Sequence, residues 1–567
     1  MDGSYEKRMM MVFMLSMTLM IISLYFMPRS KVAQQTQNIT NVVQSSSSSV
    51  GVVSSIQLVN EKGVNPTNVV IGYNGEMELT IDTLGGRIQE ASINGKWNRK
   101  KEPVKLIVKD ASFQTGDMDF GCIDNITNSE RRLLYKIVEW KSNSVHLSGK
   151  IKYQNQMISV EKVYSLADNY QIIEEIRLKN ISGNRVLIDI SNTSLSIGAS
   201  CSFFTRDQAN SGNMLQMRYY DGKKLRNAFP GGFFDFFKQL FGAYKPVRSV
   251  ILTNAVWISV NDNYFVSIVK PEDKNFSSRF IILSEKSLYK DVAYGIELPP
   301  FSLENGEEKS IRVHYYLGPK KEEILVGIDK SYGKFFSWPT LFYWFMKPIE
   351  WLMVKLMYVL SLFIPNWGII IIFLAIIVKL FLSPLSISAA KSIKKSSLLQ
   401  PKLKNLQEKY KDDPKTLNQK VAELYKSEGV NPLGGCLPLL MQIPVFFALL
   451  RVLSNSVELR GASFFWIQDL TQPDTLFKLI LPYVGMFSFN LLPILMTVVQ
   501  IIQTKLQSMK TVATTQQSPM NMYLLPLIFL FLFYNMPAGL VLYWTIQSLY
   551  SIAEQEVINL DKHVRLK

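Results

Sequence analysis

Cysteine and histidine are scarce in this chain of 567 residues, and where they fall excludes whole classes of protein. Cys122, Cys201 and Cys436 lie in different regions, which supports neither a disulfide framework nor a CxxC redox or metal site. His146, His314 and His563 stand in unrelated contexts, and no H-E-x-x-H, G-x-S-x-G or P-loop pattern accompanies them. Adjacent acids such as Glu174–Glu175 and Glu307–Glu308 point to opposite faces of a strand, so they read as solvated charge rather than an acid/base pair. No catalytic constellation, metal or cofactor is expected. A base-reading module is missing too, and so is a basic stripe with stacking aromatics, which turns the formal charge of +16 away from nucleic acid.

What the chain does have is sharply partitioned. It is 47% hydrophobic and 19% charged, an average that fits neither a soluble domain nor a pure membrane bundle. The run Met9–Met27, preceded by Lys7 and Arg8, is long enough to span a bilayer and lacks a clear small-x-small cleavage site, so 1–27 is predicted to be an uncleaved anchor with the N-terminus in the cytoplasm. Residues 28–55, with five serines in a row at Ser45–Ser49, read as a flexible tether. From 56 to 320 the texture changes to short alternating runs such as Val145–Tyr153, Ile158–Tyr164, Tyr170–Leu178 and Ile311–Leu317, which predict one large all-β sandwich. Following an outward-leading anchor, that domain belongs outside the membrane, in the periplasm of a cell with two membranes. The aromatic stretch Phe229–Phe241 within it is predicted to be a covering loop or a docking surface.

Beyond 320 the pattern is helical. Residues 321–365 hold a segment dense in Trp, Tyr, Phe and Met with Lys347, Glu350 and Lys355 interspersed, a poor spanning helix and a good interfacial one. Spans are then predicted at 366–386, 433–453, 491–507, 520–536 and 537–558, the last two parted by the helix break at Pro537–Gly539. With the anchor, six spans result, and the basic tail 559–567 ends in the cytoplasm. The outer loop 454–490 contains Leu476–Asn490, apolar enough to extend the next span or re-enter; 508–519 is a cytoplasmic loop. Between Ser386 and Pro432 ten lysines stand against five acids, as the positive-inside bias requires of a cytoplasmic segment. Within 387–432, apolar residues at helical spacing (Leu398, Leu403, Leu406 and Tyr410; Leu417, Val421, Leu424 and Tyr425) predict a helical hairpin with Asp413 capping its second helix. Its charge suits either anionic phospholipid headgroups or ribosomal RNA and a targeting receptor.

The spans carry polar residues that lipid-facing helices would not. Lys379 sits in the apolar run Gly368–Leu382, where a charge costs roughly 2.5–3.5 kcal/mol unless it faces a polar cavity or snorkels to the headgroups. Gln442, Gln500, Gln503 and Gln547 are spread over several spans, and with Lys379 they suggest a shared wet pocket rather than separate interhelical hydrogen bonds.

Six stretches then carry a family resemblance: Lys379–Leu385 (KLFLSPL), Gln400–Lys402 (QPK), Asn431–Pro444 (NPLGGCLPLLMQIP), Val457–Arg460 (VELR), Leu492–Met496 (LPILM) and Pro537–Tyr543 (PAGLVLY). They resemble the core signature of the YidC/Oxa/Alb family of membrane protein insertases. Val256–Val269 and Tyr316–Lys320 resemble the periplasmic domain of its Gram-negative branch. The resemblance implies a polytopic α-helical inner-membrane protein with an inserted mutarotase-like β-supersandwich and a five-helix core around a hydrophilic groove. Lys379, Gln442, Gln500, Gln503, Tyr543, Trp544 and Gln547 would line that groove, Tyr543 and Trp544 lying where a substrate helix slides into lipid. The groove's basic residue is usually arginine in the family; here Lys379 keeps the charge without the bidentate fork. Lys391, Lys394, Lys395, Lys402 and Lys404 would meet the ribosome or the signal recognition particle receptor, and the β-domain the Sec translocon. The protein would act on nascent membrane proteins as a monomer, without covalent chemistry. A solute transporter would instead show inverted repeats and broken midplane helices, and a membrane-anchored carbohydrate-binding protein or enzyme would carry paired carboxylates in the β-domain.

Overall fold

The structure, a computed structural model, describes residues 56–59, 65–95, 101–107, 117–119, 133–153, 155–188, 196–200, 216–228, 249–262, 264–273, 276–284, 291–297, 301–337, 343–411, 413–429, 437–481, 485–510 and 519–565. The predicted anchor and tether, Phe229–Phe241 and the Asn431–Cys436 part of the second signature lie outside the described residues.

The β-domain is built on a ten-stranded antiparallel sheet. Its centre is formed by β1 (Ser144–Tyr153), β2 (Gln156–Ala167), β3 (Gln171–Asn180), β4 (Trp257–Asn261), β5 (Phe265–Pro271) and β6 (Glu308–Pro319), in the order β1-β2-β3-β6-β5-β4. A five-stranded sheet, a four-stranded sheet and a two-stranded ribbon (Val186–Ile188 with Phe301–Leu303) add to the domain and share one hydrophobic core with it. Alternation makes the sandwich. In β3, Ile172, Glu174, Ile176 and Leu178 are buried, whereas the residues between them are only partly covered. Glu174 and Glu175 do point to opposite faces, but the expectation that both are solvated is corrected. Glu175 pairs with Arg177 on the outer face, and Glu174 is fully buried in the core, because strand register assigns faces by position rather than by polarity.

The helical part follows through α1 (Glu322–Ile328) and a short 3-10 turn at Lys330–Phe336, then α2 (Tyr343–Ser361), α3 (Trp367–Leu398), α4 (Gln400–Lys409), α5 (Pro414–Ser427), α6 (Leu437–Asn455), α7 (Leu491–Lys510), α8 (Pro519–Phe533) and α9 (Ala538–Arg565). A second hydrophobic core, separate from the sandwich, is formed by α2, α3, α6, α7, α8 and α9. Outside it, Phe373, Leu380 and Phe381 of α3, Val498 and Ile502 of α7, and Leu527 and Phe531 of α8 remain exposed. So much apolar surface on neighbouring helices suits a hydrocarbon surround. Among the described residues one helical stretch, Trp367–Ser388, is long and apolar enough to cross a membrane by itself; Gln442–Leu453 and Leu491–Leu506 are shorter apolar helices. In α2, Met346, Met353 and Met357 face the core, while Trp344, Trp351 and Tyr358 stay exposed.

Two expected boundaries shift. The helix starting at Trp367 runs unbroken through Ser383–Pro384 to Leu398, so the end of the predicted span and the start of the predicted hairpin are one helix. A proline removes only one backbone donor there, and neighbouring groups can compensate. The apolar stretch after Asp474 forms neither a span extension nor a re-entrant helix. It is a β-hairpin, Thr475–Leu481 against Gly485–Asn490, in which Phe477 and Phe489 stack at 4.8 Å. The cap at Asp413 is as expected, its Oδ1 accepting from the Lys415 and Thr416 amides at 3.1 Å. In the α4–α5 hairpin, Leu399 and Leu403 are buried against Val421, Leu424 and Tyr425.

Packing and charge join the sandwich to the helices. Val457, just after α6, inserts into the sandwich core, and Lys321, just after β6, pairs with Glu458; Lys347 of α2 pairs with Glu322 of α1 at 2.8 Å, and Arg451 of α6 with Glu350 of α2 at 3.5 Å. At this junction the Lys320 ammonium donates to the Asp262 carbonyl at 2.9 Å, and burial pulls its pKa from 10.5 down to about 7. A folded-state pKa held below the unfolded one makes a contribution complete above the unfolded value and lost as pH falls toward the folded value. Between about pH 9.5 and 7.5 the melting temperature of the full-length protein in detergent should therefore fall, and Lys320→Met should flatten that slope. Asp262, pushed by burial up to about 6, titrates below this window. An unchanged slope in the variant would assign the pH dependence to other groups.

Candidate substrate groove

Polar residues of α3 and α9 meet along the seam between these two helices. On α9, Tyr543, Gln547 and Glu554 recur at intervals that keep them on one helical face, and Ala375 and Lys379 are one turn apart on α3. The Gln547 amide donates to the Ala375 carbonyl at 2.8 Å and to the Tyr543 hydroxyl at 3.1 Å, and that hydroxyl also meets the Gln442 side chain of α6. Gln442, Tyr543, Gln547 and the α3 backbone thus form one hydrogen-bonded chain across three helices.

Further along the seam stands the charge. Lys379 Nζ lies 3.5 Å from Glu554 Oε2 and 3.5 Å from Ser386 Oγ, with the two charged side chains only 14% and 11% exposed. The lysine is therefore largely covered by protein and has an acidic neighbour. Sequence reasoning missed Glu554, although it lies inside the predicted span 537–558, where an acid is itself a signal, and on the Tyr543–Gln547 face. Gln500 of α7 is buried, and its Oε1 has no hydrogen-bond partner among the described residues; the same holds for Glu554 Oε1 and Gln555 Oε1. Gln503 is half-buried, one turn beyond Thr497 and Gln500. Thr497, Thr504, Thr545 and Ser551 bond back to carbonyls of their own helices, which lets hydroxyls sit in an apolar bundle at little cost.

Tyr543 is fully buried. The Trp544 ring is packed among Phe446, Phe529 and Phe533 at 5.3–5.6 Å, and these aromatics join α6, α8 and α9. Of the hairpin lysines, Lys402 pairs with Glu428. The side chains of Lys391, Lys394, Lys395 and Lys404 lie outside the described residues.

A sandwich clamped to a lipid-facing helical bundle, with a charge and a polar seam inside the bundle, defines a helical membrane protein with a large extramembrane β-domain. The YidC periplasmic domain model matches residues 73–352, and the 60Kd inner membrane protein model matches residues 359–564. The membrane protein insertase YidC of Haemophilus influenzae is 30% identical over 500 residues, covering 86% of this chain and 85% of that protein. The insertase YidC of Janthinobacterium sp. (strain Marseille) is 37% identical over 317 residues, 55% of this chain and 54% of that protein, so the matched stretch spans about half the length of the first curated relatives. An active YidC insertase crystal structure with its first transmembrane domain resolved is 17% identical, covers 88% of this chain and 93% of its own, and superposes with a TM-score of 0.33. The chain belongs to the YidC family of inner-membrane insertases with a periplasmic domain.

Proposed function

We propose that this protein inserts nascent membrane proteins into the inner membrane and helps them fold, using the α3–α9 seam as a hydrophilic groove. The observation that carries this is Lys379, an ammonium kept inside an apolar bundle next to a chain of amides and hydroxyls. A segment crossing the bilayer must move its polar flank through about 30 Å of hydrocarbon, and a polar groove part-way in shortens the dry path. Lys379 attracts acidic residues of the incoming segment; an outside-positive potential then pulls each negative charge outward by roughly 2.3 kcal/mol per 100 mV. Gln442, Gln500, Gln503, Gln547 and Tyr543 supply exchangeable hydrogen bonds, and the aromatic cluster around Trp544 forms the lipid-side wall that must loosen to release an apolar helix.

Around this site we assign six spans, the first in 1–27, with both termini cytoplasmic and the sandwich periplasmic. α2 lies along the outer headgroups with its exposed tryptophans in the interface. The α4–α5 hairpin, with Lys391, Lys394, Lys395, Lys402 and Lys404, meets anionic lipid and the ribosome or its targeting receptor, and the sandwich faces the Sec translocon. The protein works as a monomer and needs no cofactor.

Liposomes containing the full-length protein and a single-span test protein with a short acidic tail test this. Lys379→Ala should lower insertion at least about fivefold, and Lys379→Arg should keep it near wild type, since charge rather than fork geometry is required. Equal insertion by all three would remove the groove charge from the mechanism, and no insertion by wild type would refute autonomous insertion.

A further inference from the structure

Among the described residues, two internal lysine–glutamate pairs are built in opposite ways. In the sandwich, Lys162 donates to the Gly85 and Gly86 carbonyls at 3.1 and 3.0 Å, and Glu174 accepts from the Tyr164 and Tyr315 hydroxyls at 2.8 and 2.7 Å. Both partners are completely buried and well supplied with hydrogen bonds, as a structural pair must be. In the membrane bundle, both contacts of Lys379 are 3.5 Å, beyond the range of a well-made N–H···O bond, and Glu554 Oε1 has no partner among the described residues. Two charges held 3.5 Å apart and under-bonded form a pair that a third charged or donor group can enter without breaking a satisfied network.

We infer that Glu554 is the resting counter-ion of Lys379 and determines which tail charge the groove admits. The inference rests on the insertase reading above and deepens it. With Glu554 in place, the groove at rest is a nearly neutral dipole instead of a bare positive charge. An acidic residue of the substrate must displace Glu554 from Lys379, which weakens the preference for acidic segments. A basic residue finds a carboxylate, the buried Glu554 Oε1 included, and is spared the full repulsion of Lys379. Two further buried acceptor oxygens, Gln500 Oε1 on α7 and Gln555 Oε1 on α9, have no hydrogen-bond partner among the described residues. Glu554 is thus a positioning and specificity residue that broadens the charge range of segments handled by one groove.

The test uses the full chain in liposomes and three single-span proteins identical except for an acidic, a basic or a neutral tail. Removing the counter-charge with Glu554→Gln should raise the acidic-to-basic insertion ratio about three- to tenfold, and Glu554→Asp should hold it near wild type. The ratio is the readout because a merely structural role would lower all three substrates together. An unchanged ratio with neutral-tail insertion intact overturns the inference, and so does a uniform loss. Binding of the same three segments to the full-length protein in nanodiscs gives the acidic-to-basic affinity ratio independently. If wild type inserts nothing, the insertase reading fails, and the same shift or constancy of that affinity ratio still decides the role of Glu554. Melting temperatures of each variant separate misfolding from selectivity.

Discussion

Lys162→Met lowers the stability of the β-sandwich by about 3–5 kcal/mol, the expected loss when one member of a fully buried ion pair is removed. Lys162 and Glu174 are each 0% exposed, and their charged atoms are 3.6 Å apart. Burial raises the Glu174 carboxyl from its ordinary range, and the Lys162 ammonium is the largest influence pulling it back. Without that ammonium the carboxylate is left in the core with only hydroxyl donors, and the Gly85 carbonyl loses its ammonium donor, while Gly86 keeps the Tyr164 hydroxyl at 2.7 Å. The variant should take up a proton on Glu174. A folded-state pKa raised above the unfolded one gives stability that is present at low pH and lost as pH rises through the folded value, so the damage is smaller at acidic pH than above neutrality. Glu174→Gln, which keeps the shape and removes the charge, should cost less than Glu174→Leu, which also strands the Tyr315 hydroxyl, whereas Tyr164 can still donate to the Gly86 carbonyl. Amide hydrogen exchange in β1, β2 and β3 of the full-length protein in detergent measures the effect. Exchange in these strands unchanged from wild type would show that the pair is not part of what holds the sheet together.

The sandwich strands were legible because period-two burial leaves its mark on sequence: β1, β2, β3 and β6 overlap the predicted runs to within a few residues. The helix cap at Asp413 and the break before α9 were legible for equally local reasons, an Asp before a proline in one case and Pro–Ala–Gly in the other. What could not be read is contact between distant segments. Glu174 looked like surface charge because its neutralising partners come from β2 and β6, and nothing in the local run EEIRL announces them. Glu554 stands as an acid inside a predicted span, but its partner could not be read for the same reason: Lys379 meets it only because α3 lies beside α9. The hairpin after Asp474 deceived because an apolar run of that length is equally compatible with a strand pair and a membrane segment.

Gly539→Val should unseat the start of α9 and with it the groove wall. At that helix start the backbone amides of Ala538 and Gly539 would be unsatisfied donors. They donate to the Gln472 and Leu470 carbonyls at 2.8 and 2.7 Å, so the loop before the β-hairpin caps the helix directly. The approach is close because residue 539 has no side chain. A Cβ there would stand 3.1 Å from the Leu470 carbonyl oxygen and 3.1 Å from Ile371 Cδ1 of α3. The nearby Leu470 carbonyl is backbone and has little freedom to move. Alanine would have to be absorbed by a shift of a few tenths of an ångström; valine adds two methyl groups where Leu470, Ile371 and Leu540 are already fully buried. Overpacking of this kind costs about 1–3 kcal/mol, and loss of the two amide bonds adds roughly 1 kcal/mol each. The consequence extends past stability, since Tyr543, Gln547 and Glu554 take their height against α3 from this anchor point. Gly539→Val should therefore reduce insertion more than its lowered melting temperature in detergent accounts for, with Gly539→Ala intermediate in both. A valine variant that melts and inserts like wild type would show that the loop and α9 are not held together by this approach.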